Sequence, residues 1–428
     1  MSVLDNLPKW HPMPGDNDWA DRHGTKERYP EMDTDPIPVE PYVSPEFFEA
    51  EREKIFKKMW LYAGRMERLP NPGDYFVQKF EVLRAEPHST VPSFIFMRGK
   101  DNKVRAFYNA CQHRGTEVAW DETETWATSH RKFLSCRFHG WTYDNEGKLV
   151  HVPDEGQFFG GVDKSCRGLK EVPCAVWKDF IFMNLDPKPR QTLMEQLGSI
   201  ADVLKDFPFE NMRKVGIWTS TVRCNWKVAL DAFQEGYHVS TVHAGTIPEA
   251  FNGALNQFCR PTSIRLYEQG NRGVTFMVSP DYAPPPAEIW ARSRGSSWYA
   301  AGGDIKDEFP GANPEDDPYF AFSLNGVFPN MIVDPFIGGY YGHEFWPIDV
   351  NTTRWIGSIN FLPPEKPSDI MVQEHGKVLL RDAFREDTVT LEASQSGIES
   401  GALDSVLMCD PESAPRHLVR ACMEIVNS

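Results

Sequence analysis

Two short clusters, CQHRG at 111–115 and CRFHGW at 136–141, pair a cysteine with a histidine twice, and they constrain the fold more than any other feature. Cys111 and His113 are two apart, and Cys136 and His139 are three apart. Between the pairs lie 22 residues, 114–135, enough for a hairpin to bring them together. Four thiolate and imidazole donors at these spacings suggest one metal centre.

Two chemistries compete for such a centre. A structural zinc takes four Cys/His ligands, usually as a Cys pair followed by a second Cys or His pair. Here Cys-x-His alternates with Cys-x-x-His, so each pair can place its thiolate on one iron and its imidazole on the other, as a Rieske [2Fe–2S] cluster requires. The zinc reading keeps the chain an interaction protein; the cluster reading makes it an electron-transfer protein. Arg114, Arg131, Lys132 and Arg137 make this stretch basic, which suits docking of an acidic electron donor or plain solvation.

Around the clusters the pattern is of short strands. NPGD at 71–74 turns into the strand YFVQKF, SFIFMRGKDNKVRAFYNA is a hairpin turning at GKDN, and DFIFMNLD ends the run at 186. SPEFFEAEREKIFKKMW, with Ser44 as N-cap, places Phe48, Ile55, Phe56 and Met59 at helical spacing. Beyond 187, residues 191–206 read as helix, 214–226 as strand and 263–279 as a hairpin. A Pro- and Gly-dense loop over 280–318 follows, then strands to about 362 and a long helix over 369–397. A chain of 428 residues exceeds one growing core, so more than one domain is expected. The net charge of −16 argues against nucleic acid, and no run of 18 apolar residues suggests a membrane span. Eight cysteines are too few for a disulfide scaffold, which points to a reducing compartment and the cytoplasm.

A second constellation sits in NWKVALDAFQEGYHVSTVH at 225–243. Read as one helix, it puts Asp231, Glu235 and His238 on one face and Trp226, Leu230, Phe233 and Tyr237 on another. A polar stripe on an apolar helix is costly to bury without a task such as metal binding. His243 lies five residues beyond His238, where the chain can turn back. Two imidazoles with one distant carboxylate form the facial triad of non-haem iron oxygenases. In DAFREDTVTLEASQSGI at 382–398, Asp382, Glu386, Asp387 and Glu392 compete for that place. Phe384, Asp387, Leu391, Ser394 and Ile398 form one stripe, so Asp387 is the acid on the apolar face, whereas Asp382 and Glu386 read as solvated. His151, His343 and His375 have no partner motif and read as ordinary histidines.

With both constellations in hand, the chain resembles the α (oxygenase) subunits of Rieske non-haem iron ring-hydroxylating oxygenases, the naphthalene dioxygenase type among them. WLYAGRMERLPNPGDYFV, CQHRG, CRFHGWTYDNEGKL, RGLKEVP, FIFMNLD, NWKVALDAFQEGYHV and the acidic C-terminal helix carry the resemblance in that order. It implies an α+β fold: an antiparallel β Rieske domain plus a helix-grip catalytic domain, an antiparallel sheet wrapped over helices. The expected organisation is an N-terminal arm and helix at 1–57 packing on the catalytic domain, a Rieske domain at 58–186 and a mononuclear iron domain at 187–428. Carried over by position, Cys111, His113, Cys136 and His139 match the cluster ligands, and His238, His243 and Asp387 match the ligands of a mononuclear non-haem Fe(II). Glu235 stands where the family places an acid, often Asp, that bridges to a Rieske histidine of the neighbouring subunit. Asp231 then organises the iron site without ligating it, and Ala232 replaces a common amide. The gap between the pairs is long for the family, with the extra length in DETETWATSHRK.

The activity this implies is that of the oxygenase component of a multicomponent system. NADH-derived electrons arrive from a separate NAD(P)H-dependent reductase, a ferredoxin or both, since no nucleotide-binding glycine fingerprint is present. O2 is then used for cis-dihydroxylation or monooxygenation of a small hydrophobic, aromatic substrate. A quaternary amine or steroid as the substrate of a monooxygenase or demethylase is the alternative. A homotrimer, with or without β subunits, is the expected assembly. A simple electron carrier and a zinc-stabilised binding protein are the readings from other classes.

Overall fold

The computed structural model describes residues 29, 32–85, 89–120, 129–247, 251, 256, 258–279, 282–283, 285–294, 311–313 and 320–428. Most of the N-terminal arm, the core of the DETETWATSHRK insertion and most of the loop 280–318 lie outside them. The chain divides into two compact units, one of residues 52–195 and one of residues 1–51 with 196–428.

Among its described residues, the unit of residues 52–195 holds three antiparallel sheets. Five strands run in the order Glu171–Val172, Val104–Tyr108, Ser93–Arg98, Asp74–Lys79 and Ser129–His130. The Gly99–Asn102 turn closes its central hairpin as expected, with Asn102 in the left-handed region at φ 64°. Cys174–Trp177, Phe180–Met183 and Leu61–Arg65 make a second sheet. The third is a small ribbon of Phe133–Ser135, Thr142–Asp144 and Leu149–His151. Its core joins Ile95, Phe107, Leu134, Trp141, Tyr143 and Leu149 around Cys111 and Cys136, so both cysteines are part of the packing.

In the other unit a seven-stranded antiparallel sheet dominates. Its order is Arg213–Val222, Thr352–Phe361, Gly339–Asp349, Met331–Phe336, Phe320–Val327, Arg272–Met277 and Ser263–Leu266. Across it lies the helix Pro367–Glu399, whose 33 residues span about 50 Å. Asp369, Val372, Gly376, Ala383, Phe384, Asp387, Leu391 and Gln395 are its buried residues. The stripe read from sequence therefore holds through Leu391 and shifts by one to Gln395, leaving Ser394 exposed. The fold is the expected α+β combination of antiparallel sheets with a large sheet gripping helices.

Ser44 caps the helix Pro45–Glu51 as expected, its Oγ accepting the Phe47 N–H at 3.1 Å. Two expected helices differ. Residues 191–206 form two short pieces, Leu193–Leu197 and Ser199–Val203, interrupted at Gly198. The stretch 225–243 is not one helix: Trp226–Asp231 ends, turns follow, and Val239–Val242 makes a separate turn of helix. Gly236 in the break is the reason the chain can sit there, because a Cβ would strike the Cys259 carbonyl oxygen and the Phe276 ring. Asp231, Glu235 and His238 consequently do not share one helix face. Tyr237, expected in the core, is 52% exposed, while Trp226, Leu230 and Phe233 are buried.

Candidate metal centres and substrate pocket

The two Cys/His pairs occupy matching turns. In each, the glycine four residues after the cysteine donates its N–H to the cysteine carbonyl at 2.9 Å, Gly115 to Cys111 and Gly140 to Cys136. Both glycines need positive φ, 84° and 73°, which an L side chain rarely adopts. The second turn is the tip of the hairpin that pairs Ser135 with Thr142. The His113 and His139 rings meet edge to face with centroids 4.6 Å apart, and His113 stacks on Trp141 at 5.0 Å.

Donor chemistry at this pocket fits a [2Fe–2S] cluster. Cys111 and Cys136 are buried and not joined to each other. Burial raises the Cys111 thiol, against the Tyr143 hydroxyl that lies 3.3 Å from Cys111 Sγ and lowers it. His113 Nδ1 is buried with no hydrogen-bond partner among the described residues, and a buried orphan nitrogen is expected where a metal completes the bonding. Arg114, Arg131, Lys132 and Arg137 are all exposed.

The second centre gathers His238, His243 and Asp387 from three places in the chain. His238 Nε2 and His243 Nε2 are 3.3 Å apart, and Asp387 Oδ1 lies 3.1 Å from His243 Nε2 and 3.6 Å from His238 Nε2. Two ligands about 2.1 Å from one ion and at right angles are about 3.0 Å apart, so these three atoms fit one face of a coordination sphere. Asp387 Oδ1 is buried and has no hydrogen-bond partner among the described residues, which again fits a site that a cation completes.

Each imidazole is held from behind by a carboxylate. Glu235 Oε1 contacts His238 Nδ1, while its Oε2 accepts the backbone N–H groups of Tyr237 and His238. Glu386 Oε2 lies 2.9 Å from His243 Nδ1 and also accepts the Thr246 hydroxyl. A carboxylate on Nδ1 keeps the proton there and turns the Nε2 lone pair toward the shared site. Burial lowers the His243 imidazole, but Asp387 and Glu386 outweigh it and hold it above its usual range.

Glu386 corrects the sequence reading, which left it solvated. It is only partly exposed because the turn after Val242 brings His243 to it, a contact across 143 residues with no local signature. Asp382 instead pairs with Arg381, and Glu392 with Arg223. Glu386→Gln is expected to weaken mononuclear iron binding about 10-fold or more while leaving the cluster intact. Iron titration of the apoprotein, with the cluster spectrum as internal control, checks this.

Asp231 ends its helix, with the Tyr42 hydroxyl 3.5 Å from Oδ2 and Oδ1 buried without a partner among the described residues. Burial pushes its carboxyl up to about 8, although Arg272 and Lys227 pull it down. It is not among the three converging donors.

Against the iron site lies a pocket of ≈ 780 Å3 of empty space, mouth included. Phe233, Phe276, Phe322, Leu324, Tyr341 and Phe384 are among the residues of its wall, and His238, His243 and Asp387 also line it. A second cavity, lined by Tyr42, Val242, Leu407 and Glu412 among others, reaches the same centre from another side. Glu235, His238 and Asp387 line both.

Residues 209–428 match the family described as ring hydroxylating alpha subunit (catalytic domain), and residues 59–173 match the Rieske [2Fe–2S] domain. The chain belongs to the ring-hydroxylating oxygenase α-subunit family, with a Rieske domain for the [2Fe–2S] cluster and a catalytic domain carrying the His/His/Asp iron group. It is 32% identical over 207 residues to the anthranilate 1,2-dioxygenase large subunit of Acinetobacter baylyi, covering 47% of this chain and 41% of that protein. It is 28% identical over 210 residues to the carnitine monooxygenase oxygenase subunit of Escherichia coli, covering 49% of this chain and 52% of that one. The matched stretch thus spans about half the length of these relatives. The fold is also that of naphthalene 1,2-dioxygenase from Rhodococcus sp. bound to indole, with TM-score 0.69, 20% identity, and 91% and 94% of the two chains covered. A quaternary ammonium Rieske monooxygenase shares it at TM-score 0.68 and 20% identity, over 90% and 94%. Among the described residues no helix is long and apolar enough to cross a membrane.

Proposed function

We propose that the chain is the oxygenase component of a multicomponent Rieske oxygenase that hydroxylates a hydrophobic, aromatic substrate with O2 and NADH-derived electrons. The observation that carries this is the convergence of His238 Nε2, His243 Nε2 and Asp387 Oδ1 at the wall of an aromatic pocket. Cys111, His113, Cys136 and His139 would hold the cluster, and His238, His243 and Asp387 the mononuclear iron. When bound, the cluster relays single electrons and the mononuclear iron supplies O2 activation.

The chain's own residues do the rest. Glu235 and Glu386 keep the histidine protons on Nδ1 and hold the rings still. The phenylalanine-rich wall excludes water and seats a flat ring against the donor face. Glu235 stands between the pocket and the second cavity, a place that suits the bridging role expected from the family. Glu235→Ala is expected to abolish turnover with both metal centres filled, because the link to the Rieske histidine of a neighbouring subunit is lost. Wild-type turnover in that variant would exclude the role. A homotrimer in the cytoplasm, served by a reductase or ferredoxin, completes the proposal.

The quaternary-amine alternative draws support from the likeness to the carnitine monooxygenase subunit. The test of the whole reading is iron and acid-labile sulfide analysis with spectroscopy, followed by a substrate panel with a surrogate reductase. Two iron environments and a hydroxylated aromatic product are expected. A colourless zinc protein, or a single iron environment, overturns it, and products from amines alone select the alternative.

A further inference from the structure

The pocket wall contains one ionisable pair that the iron site does not use. Asp334, on the strand Met331–Phe336, and His343, on the strand Gly339–Asp349, both line the cavity and are 4% and 1% exposed. The Trp355 Nε1–H donates to His343 Nδ1 at 3.3 Å, so the ring proton sits on Nε2 and is donated to Asp334 Oδ2 at 3.3 Å. Asp334 Oδ1 is buried with no hydrogen-bond partner among the described residues. His343 itself is packed between Phe233 at 4.7 Å and Phe384 at 5.0 Å, and among the described residues no Lys or Arg lines the cavity.

A carboxyl group so placed has given up its hydration and recovered only part of it. Burial raises it accordingly, against His343 and the Asn325 backbone, which lower it. A tie between the two strands does not explain the arrangement, since their backbones already pair, with Asp334 opposite Tyr341. Among the described residues Oδ1 meets no donor in hydrogen-bond geometry, and Asp334 lines an aromatic cavity. Rotation of the carboxyl about its own bond exchanges the two oxygens, so either can meet a ligand.

We propose that Asp334, positioned by His343, anchors an N–H group on an otherwise apolar ring substrate and thereby sets which substrate atom faces the iron ligands. This rests on the pocket being the substrate site of the oxygenase proposed above. The recognised chemistry is an N–H donor, which a neutral ring nitrogen or an ammonium group can supply.

The test is anaerobic titration calorimetry of the holoenzyme with three bicyclic probes of similar size. Indole carries a neutral N–H, 2-aminoindane an ammonium, and indene no donor. At least one nitrogen probe is expected to bind about tenfold or more tightly than indene, and which one does so separates neutral from charged donors. In Asp334→Asn the amide oxygen accepts from His343 and its NH2 faces the remaining position, so the preference should vanish with indene affinity and iron content unchanged. Asp334→Thr serves with the same readout where the amide variant does not fold. Indene binding as tightly as both nitrogen probes, or a preference that survives loss of the carboxyl, overturns the proposal alone. Binding of none of the three overturns the aromatic-substrate reading with it.

Discussion

Asp387→Ala is expected to empty the mononuclear site while the cluster stays, lowering iron per chain by about a third, since a [2Fe–2S] centre holds two irons and a facial site one. The argument is geometric and electrostatic. Asp387 is 4% exposed, and its Oδ1 is within 3.1 and 3.6 Å of the two imidazole nitrogens. It is the only anionic member of the three donors, so its removal leaves two neutral imidazoles facing an apolar pocket. Loss of a carboxylate that merely orients a ligand costs about 10- to 100-fold in metal affinity, and loss of the ligand itself should exceed that range. The reduced cluster keeps its spectrum, whereas O2-dependent turnover falls to background. Full iron loading and turnover in the alanine variant would sink the proposed site and leave the chain an electron carrier. Asp382→Ala is the control, because Asp382 pairs with Arg381 at the surface and should change neither quantity.

The features legible in sequence are those whose chemistry depends on residue type and short spacing. Cys111 with His113 and Cys136 with His139 sit in turns whose geometry is local, down to the glycines that close them. Helical periodicity singled out Asp387 over Asp382 because one face of a 33-residue helix must be apolar, and the long helix does bury Phe384, Asp387 and Leu391. The features not legible depend on partners far along the chain. The helix break before His238 is set by how closely Gly236 approaches Cys259 and Phe276, contacts that no window around 225–243 contains. Glu386 looked solvated because its own helix offers it nothing; His243 comes to it from another element. The Asp334–His343 pair follows from the register of two strands, which places residues nine positions apart in contact.

Lys227→Met is expected to destabilise the catalytic unit by about 3–5 kcal/mol, the usual cost of stranding one member of a buried ion pair. Lys227 Nζ lies 2.7 Å from Glu51 Oε1 with both side chains fully buried, and the Trp226 indole N–H donates to Glu51 Oε2 at 3.0 Å. The ammonium is also ringed by Trp226, Phe47 and Tyr42 at 5.1, 5.6 and 5.8 Å. Burial raises the Glu51 carboxyl, and only Lys227 and Trp226, with a smaller contribution from Cys422, pull it back. Without the lysine the carboxylate must either stay charged in an apolar cage or take up a proton. The pair pins the helix Pro45–Glu51 to the helix Trp226–Asp231, and the chain leaves the latter directly for Glu235 and His238. Loosening it should therefore lower iron retention as well as the urea midpoint of this unit, with the Rieske spectrum unaffected. The double variant Glu51→Leu with Lys227→Met removes both charges and should recover much of the midpoint, because well-packed apolar replacements of buried pairs are often neutral. Recovery of the midpoint without recovery of iron would show that the charges themselves, and not the packing they enforce, hold His238 in place.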